Sequence, residues 1–124
     1  ELCELNDEDK IEFLKELAEE GKSFVIVGRC SEHILKDYDA MFSMFIYSCK
    51  QARIDRLTKK LHVNEKEAFN LMRIKDTKRR KYHDAHSPIA WGKHKGYDLC
   101  INSSKLGIDK TVELISSYID LKYN

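Results

Sequence analysis

The run Ile74-Lys75-Asp76-Thr77-Lys78-Arg79-Arg80-Lys81-Tyr82-His83 gathers cations in a chain whose net charge is only +1. Between residues 73 and 81 stand Arg73, Lys75, Lys78, Arg79, Arg80 and Lys81, against the single carboxylate of Asp76. Arginine presents a planar fork of donors that fits a phosphoryl group in two-pronged fashion. Arginines carried from a helix end into a polar loop are therefore suited to holding a phosphoryl group during transfer. Asp76 and Arg79 are three apart, so on a helix they form a local pair that sets the aim of Arg79, while Arg80 projects elsewhere. The residues alone leave two other readings open. One is a solvated helix end, where the helix dipole favours cations. The other is a nucleic-acid grip in which Tyr82 and Trp91 stack on bases.

Other polar groups fall where predicted strands end, which is where open α/β sheets bind ligands. Gly28-Arg29 follows the apolar run Phe24-Val25-Ile26-Val27. Ser48 and Lys50 follow Met41–Tyr47, and Asn102-Ser103-Ser104 follows Tyr97-Asp98-Leu99-Cys100-Ile101. Arg29 is the most pointed of these, because a buried strand and a glycine would hold it on a rigid support. Arg53 and Arg56 share one helix face. His83 and His86 have a spacing known from metal sites but lack a cysteine or acidic partner at ligand spacing, so no metal is expected. The chain contains no Gly-x-Ser-x-Gly, no His-Glu-x-x-His and no Gly-x-x-x-x-Gly-Lys-Ser/Thr loop.

These groups need elements to carry them. Asn6 and Asp7 can cap a helix running to about Glu20, with Ile11, Leu14, Leu17 and Ala18 at helical spacing and Gly21 as its stop. Phe24–Val27, apolar throughout, reads as a strand buried on both faces. Ser31 to Lys36 suggests a short helix, and Met41–Tyr47 a second strand. Residues 50–61 return to helical spacing through Ile54, Leu57 and Leu61. Asn64-Glu65-Lys66-Glu67 has the form of a capping box and opens a helix with Ala68, Leu71 and Met72 on one stripe. An irregular stretch from about His83 to Gly96 holds the only proline, Pro88. Tyr97–Ile101 is a third strand, Asn102–Ser104 a polar loop, and Asp109 caps a last helix with Val112, Ile115 and Ile119 inward. Strands alternating with helices predict an α/β domain with a parallel sheet.

Composition sets the broad class. At 42% hydrophobic and 35% charged the 124 residues suit one soluble globular domain. The near-neutral balance hides a strongly acidic segment over residues 1–20, so anion-binding potential is local. A sequence-independent DNA binder is more often basic overall, and no nucleic-acid partner is expected. No apolar run approaches a membrane span, and the N-terminus lacks a signal-peptide pattern. Cys3, Cys30, Cys49 and Cys100 form no Cys-x-x-Cys pair and are expected as reduced, buried thiols in a cytoplasmic protein.

Three segments, taken in order, resemble one family. They are Phe24-Val25-Ile26-Val27-Gly28-Arg29-Cys30, Ile74 to Tyr82, and Tyr97-Asp98-Leu99-Cys100-Ile101-Asn102-Ser103-Ser104-Lys105-Leu106-Gly107. Together with the charged helical hairpin before the third strand, they resemble the cytidylate kinase-like proteins, a branch of the P-loop nucleoside monophosphate kinases. The resemblance implies a three-layer α/β/α parallel sheet of the P-loop NTPase kind. It implies transfer of the γ-phosphoryl of ATP to a nucleoside monophosphate, CMP or dCMP, with ATP and Mg2+ as cofactors. It assigns Arg29, Arg53 and Arg56 to substrate binding. Asp76, Arg79 and Arg80 fall in a mobile lid over about residues 76–96, and Asn102 and Ser103 in the loop beside the donor base.

Two features depart from the family pattern. Val27 and Cys30 flank Gly28-Arg29 where established cytidylate kinases carry acidic residues. The family's phosphate loop and its strand lie ahead of the matched region. The expectation is therefore an incomplete sheet, the C-terminal part of a kinase domain, whose central strand comes from a preceding segment or another chain. The 124 residues alone are then expected neither to fold stably nor to phosphorylate nucleotides. A non-catalytic nucleotide- or phosphate-ligand-binding domain of the same fold is the alternative, and a small RNA- or DNA-binding domain the second.

Overall fold

A computed structural model describes residues 6–28 and 30–124. In chain order its elements are α1 (Asp7–Glu19), α2 (Ser31–Ile34), β1 (Met44–Tyr47), α3 (Lys50–Leu61), α4 (Glu65–His86), β2 (Leu99–Asn102), α5 (Ser103–Leu106) and α6 (Ile108–Tyr123). A 3-10 turn at His94–Gly96 precedes β2. The fold is α/β, as the alternating pattern predicts. β1 and β2 pair in parallel, with Met44 opposite Leu99 and Tyr47 opposite Asn102. Parallel neighbours need a crossover, and α3 with α4 supplies it.

The caps follow the sequence signals. Asn6 Oδ1 accepts from Asp9 N at 2.8 Å and opens α1, and Gly21 takes φ +73° just past its end. Asn64 Oδ1 accepts from Glu67 N at 2.8 Å, and the Asn64 amide reaches the Glu67 carboxylate at 3.4 Å, which closes a reciprocal cap at the start of α4. The register of the sheet is set one residue before the ladder. Ser43 N donates to Asp98 Oδ2 at 2.8 Å, and Asp98 N donates to Ser43 O at 2.9 Å.

The chain divides into two compact units, one of Glu1–Ser43 with Lys78–Asp98 and the other of Met44–Thr77 with Leu99–Asn124. The first buries Leu14, Cys30 and Leu35, together with Lys10 and His83. The second buries Ile54, Ala68, Met72 and Ile101, together with Ser103 and Thr111. Ile54, Ala68 and Met72 belong to the stripes expected on α3 and α4.

Six expectations are corrected. Phe24–Val27 forms no strand, and Val25 and Val27 are 91% and 89% exposed. An apolar run becomes a buried strand only where a neighbour satisfies its backbone groups, and no described residue pairs with this one. α4 continues to His86, so the basic run lies inside a helix and not at its end. Nothing between Lys75 and His86 breaks it, since Pro88 lies two residues beyond. Asn102–Ser104 is no open loop: Asn102 ends β2 and caps α5, which Ser103 and Ser104 begin. Gly107, at φ +83°, precedes α6 in place of Asp109, which sits in the first turn. Val112 and Ile119 of α6 are exposed, with Thr111 the buried residue of that helix. Finally, Cys30 is buried but Cys49 and Cys100 are exposed, all three as free thiols; Cys3 lies outside the described residues.

The two strands differ in cover. Ile46 and Ile101 are register partners and therefore point to the same face, yet Ile46 is 49% exposed and Ile101 4%. Facing direction does not explain this contrast. Among the described residues neither β1 nor β2 has a second strand neighbour.

Candidate functional site

In the unit built on the sheet, the parallel ladder ends with Tyr47 and Asn102 side by side. Ser103 is buried, and its Oγ donates to Tyr47 O at 3.2 Å, tying the two strand ends together. Asn102 Oδ1 accepts from Ser104 N at 3.1 Å and from Ser104 Oγ at 2.5 Å, which caps α5. Ser104 Oγ also accepts from Cys49 N at 3.2 Å. The turn after β2 is thus fixed by its own side chains. After β1, the Ser48 hydroxyl is buried with no hydrogen-bond partner among the described residues. Lys50 Nζ lies 4.3 Å from the centre of the Phe69 ring. Cys49 stands at the N-cap of α3. Its thiol pKa is lowered, first by the Ala52 backbone N–H and then by the Ser104 hydroxyl.

Arg53 projects from α3 and grips Asp76 of α4 through two bonds, Nη1 to Oδ2 and Nη2 to Oδ1, each 2.7 Å. This fork-to-fork pair raises the guanidinium pKa further, chiefly through the Asp76 hydrogen bonds. Both Asp76 oxygens are engaged by Arg53, a partner that sequence spacing did not suggest. Sequence spacing favoured the local partner. Arg53 and Asp76 are 23 residues apart and meet because α3 and α4 fold back as a hairpin. Arg56 is exposed on α3, and Arg29 lies outside the described residues.

The other unit carries the second half of the basic run. Arg79 and Arg80 are exposed on α4, and the Arg80 guanidinium lies 5.8 Å from the centre of the Trp91 ring, a cation–π contact. Asp84 accepts from Trp91 N at 2.8 Å and faces His83 Nδ1 at 3.1 Å. These contacts, the Trp91 N–H first, hold its carboxyl below the usual range. Trp91 is therefore tied to α4 through both its backbone and its ring.

Sequence spacing missed a cluster in this unit. Cys30, Glu32 and His83 bring a sulfur, a carboxylate oxygen and a ring nitrogen within 4.8 Å of one another. His83 Nε2 is hydrogen-bonded to Glu32 Oε1, and Cys30 Sγ donates to His83 O at 3.7 Å. Burial, followed by the charge of Glu32, pushes the Cys30 thiol up to about 12. Tyr97 is also held up to about 12, chiefly by burial. The only signal in the sequence was Cys30-x-Glu32, whose partner stands 51 residues on.

Among the described residues no helix is long and apolar enough to cross a membrane. Comparison with known proteins places the chain. No curated protein matches it. A crystal structure of an uncharacterized protein from Eubacterium ventriosum is similar, at 35% identity and a TM-score of 0.89. That match covers 96% of this chain and 69% of the other. The sequence profile of the cytidylate kinase-like family matches residues 5–105, and the chain belongs to that family.

Proposed function

We propose that this chain is the arginine-bearing part of an ATP-dependent phosphoryl transferase whose acceptor is a nucleoside monophosphate, CMP or dCMP. Family membership supports a kinase-type activity. The observation that carries the reading is the parallel alignment of the two strand ends. It sets Ser48, Lys50 and the Asn102–Ser103 turn at one carboxyl edge, the place where α/β sheets bind ligands. The buried, unpartnered Ser48 hydroxyl is a group that a bound ligand would satisfy. One turn along α3, Arg53 is held by Asp76 and cannot swing freely.

On this reading Arg29, Arg53 and Arg56 take the acceptor's phosphate. Asn102 and Ser103 shape the turn beside the donor base. Arg79 and Arg80 neutralise charge on the transferred phosphoryl from a lid over residues 76–96, and Asp76 acts by positioning Arg53. The residues present do not fit a triphosphate–magnesium cradle, because the chain has no glycine-rich loop ending in lysine. That task falls to a preceding segment or another chain, which also completes a three-layer, P-loop-type sheet. Two observations favour a completing strand: the exposed Phe24–Val27 run and a match covering 69% of the similar solved chain. The reading places the protein in the cytoplasm, with no membrane or nucleic-acid partner.

The test is monophosphate-dependent ADP release from ATP and Mg2+ by the complete protein, across CMP, dCMP, UMP and AMP. CMP and dCMP are expected to be the fastest. Binding of CMP without turnover would select the non-catalytic nucleotide-binding alternative, the outcome expected if the complete protein lacks a phosphate loop. Failure to bind any of the four refutes both.

A further inference from the structure

We propose that Cys30, Glu32 and His83 form a binding site for a divalent transition metal, with zinc the best fit. The three donors come from two places in the chain and meet in one unit: Cys30 and Glu32 at the start of α2, and His83 near the end of α4. Thiolate, imidazole and carboxylate are the three ligand types zinc takes, and a set containing sulfur disfavours magnesium and calcium. Their donor atoms lie within 4.8 Å of one another. Bonds of about 2.0–2.3 Å in a tetrahedron bring ligand pairs to roughly 3.3–3.8 Å, so side-chain rotation alone is enough. His83 Nε2 and Glu32 Oε1, now hydrogen-bonded, move apart to admit the ion.

The surroundings fit a metal. Cys30 is 2% exposed and His83 5%, while the Glu32 side chain is 13% exposed and leaves an approach. Cys30 adopts the left-handed conformation, φ 56° and ψ 27°, which a non-glycine residue seldom takes; the backbone thereby brings its sulfur into the cluster. Asp84 Oδ1 faces His83 Nδ1 at 3.1 Å. A carboxylate on one ring nitrogen fixes the tautomer that turns the lone pair of the other toward a metal. The present bond of Cys30 Sγ, 3.7 Å to His83 O, is weak and easily exchanged for a metal. On binding, the thiol proton and the proton between His83 and Glu32 pass to solvent. Water takes the fourth position.

The experiment is titration of the metal-free full chain with Co2+, followed by competition with Zn2+. A sulfur-to-cobalt charge-transfer band saturating at one equivalent and displaced by Zn2+ is expected. Cys30→Ser should abolish the band, whereas Cys49→Ser and Cys100→Ser should leave it intact. Asp84→Asn, at an exposed position, should weaken Co2+ affinity about 10-fold or more with the circular dichroism unchanged, and it decides the matter if Cys30→Ser fails to fold. Absence of the band, its survival in Cys30→Ser, or unchanged affinity in Asp84→Asn overturns the proposal.

Discussion

Arg53→Met, Asp76→Leu and the double variant together measure what holds the α3–α4 hairpin. Both guanidinium bonds are 2.7 Å, and the side chains are 32% and 19% exposed. Charges about 4 Å apart attract by about 4 kcal/mol at an effective dielectric of 20. Desolvation and the cost of ordering two side chains oppose this. Exposed pairs retain about 0.2–1 kcal/mol, and hydrogen bonds to charged groups about 1.5–3 kcal/mol. Arg53 is about one third exposed, which moves the expectation toward the lower range. The bidentate geometry and the more buried Asp76 move it up. A coupling energy of about 1–2 kcal/mol follows, read from urea unfolding of the four proteins. The losses of the two single variants should sum to more than the loss of the double variant, because each single leaves a half-buried charge alone. Arg53→Lys should recover less than half of the coupling, since an ammonium cannot form the parallel pair. A coupling below about 0.3 kcal/mol would falsify the claim that Asp76 fixes Arg53.

Further outcomes are expected elsewhere. In the complete protein Arg79→Ala should lower monophosphate-dependent turnover by about 10²–10³-fold with little change in nucleotide affinity; equal turnover removes Arg79 from the lid role. Val25→Asp separates an open apolar run from a completed sheet. An exposed site tolerates the change within about 0.5 kcal/mol, while a strand buried by a partner loses roughly 2–3 kcal/mol. Ser103→Ala deletes the Oγ bond to Tyr47 O and should cost about 1 kcal/mol in thermal or urea unfolding. The Cys49 thiol pKa is lowered, so its thiolate fraction near neutral pH exceeds that of an ordinary thiol. Iodoacetamide should modify Cys49 before Cys100, Ser104→Ala should narrow the gap, and equal rates would contradict the assigned bonds.

Much of the local structure was written in the sequence by itself. Asn6, Gly21 and the Asn64–Glu67 box mark helix ends because each satisfies or terminates backbone groups within a few residues. The stripe of Ile54 on α3 and that of Ala68 and Met72 on α4 follow from helical period alone. The alternation of strand and helix gave the α/β class and the parallel pairing, and three ordered segments were enough to identify the family. Where partners are distant, the sequence was silent or misleading. Phe24–Val27 has a strand's composition, but a strand exists only with a hydrogen-bonded neighbour. The spacing of Asp76 and Arg79 suggested a local pair, whereas the two-pronged bond from Arg53, on the other arm of the hairpin, had no signal in the spacing. The basic run looked like a helix end because its composition turned polar, yet nothing in it stops a helix before His86. Cys30, Glu32 and His83 became neighbours only when the start of α2 met the end of α4. Short-range capping and periodicity are properties of contiguous residues; charge pairing, strand burial and ligand clusters depend on which distant surfaces the fold brings into contact.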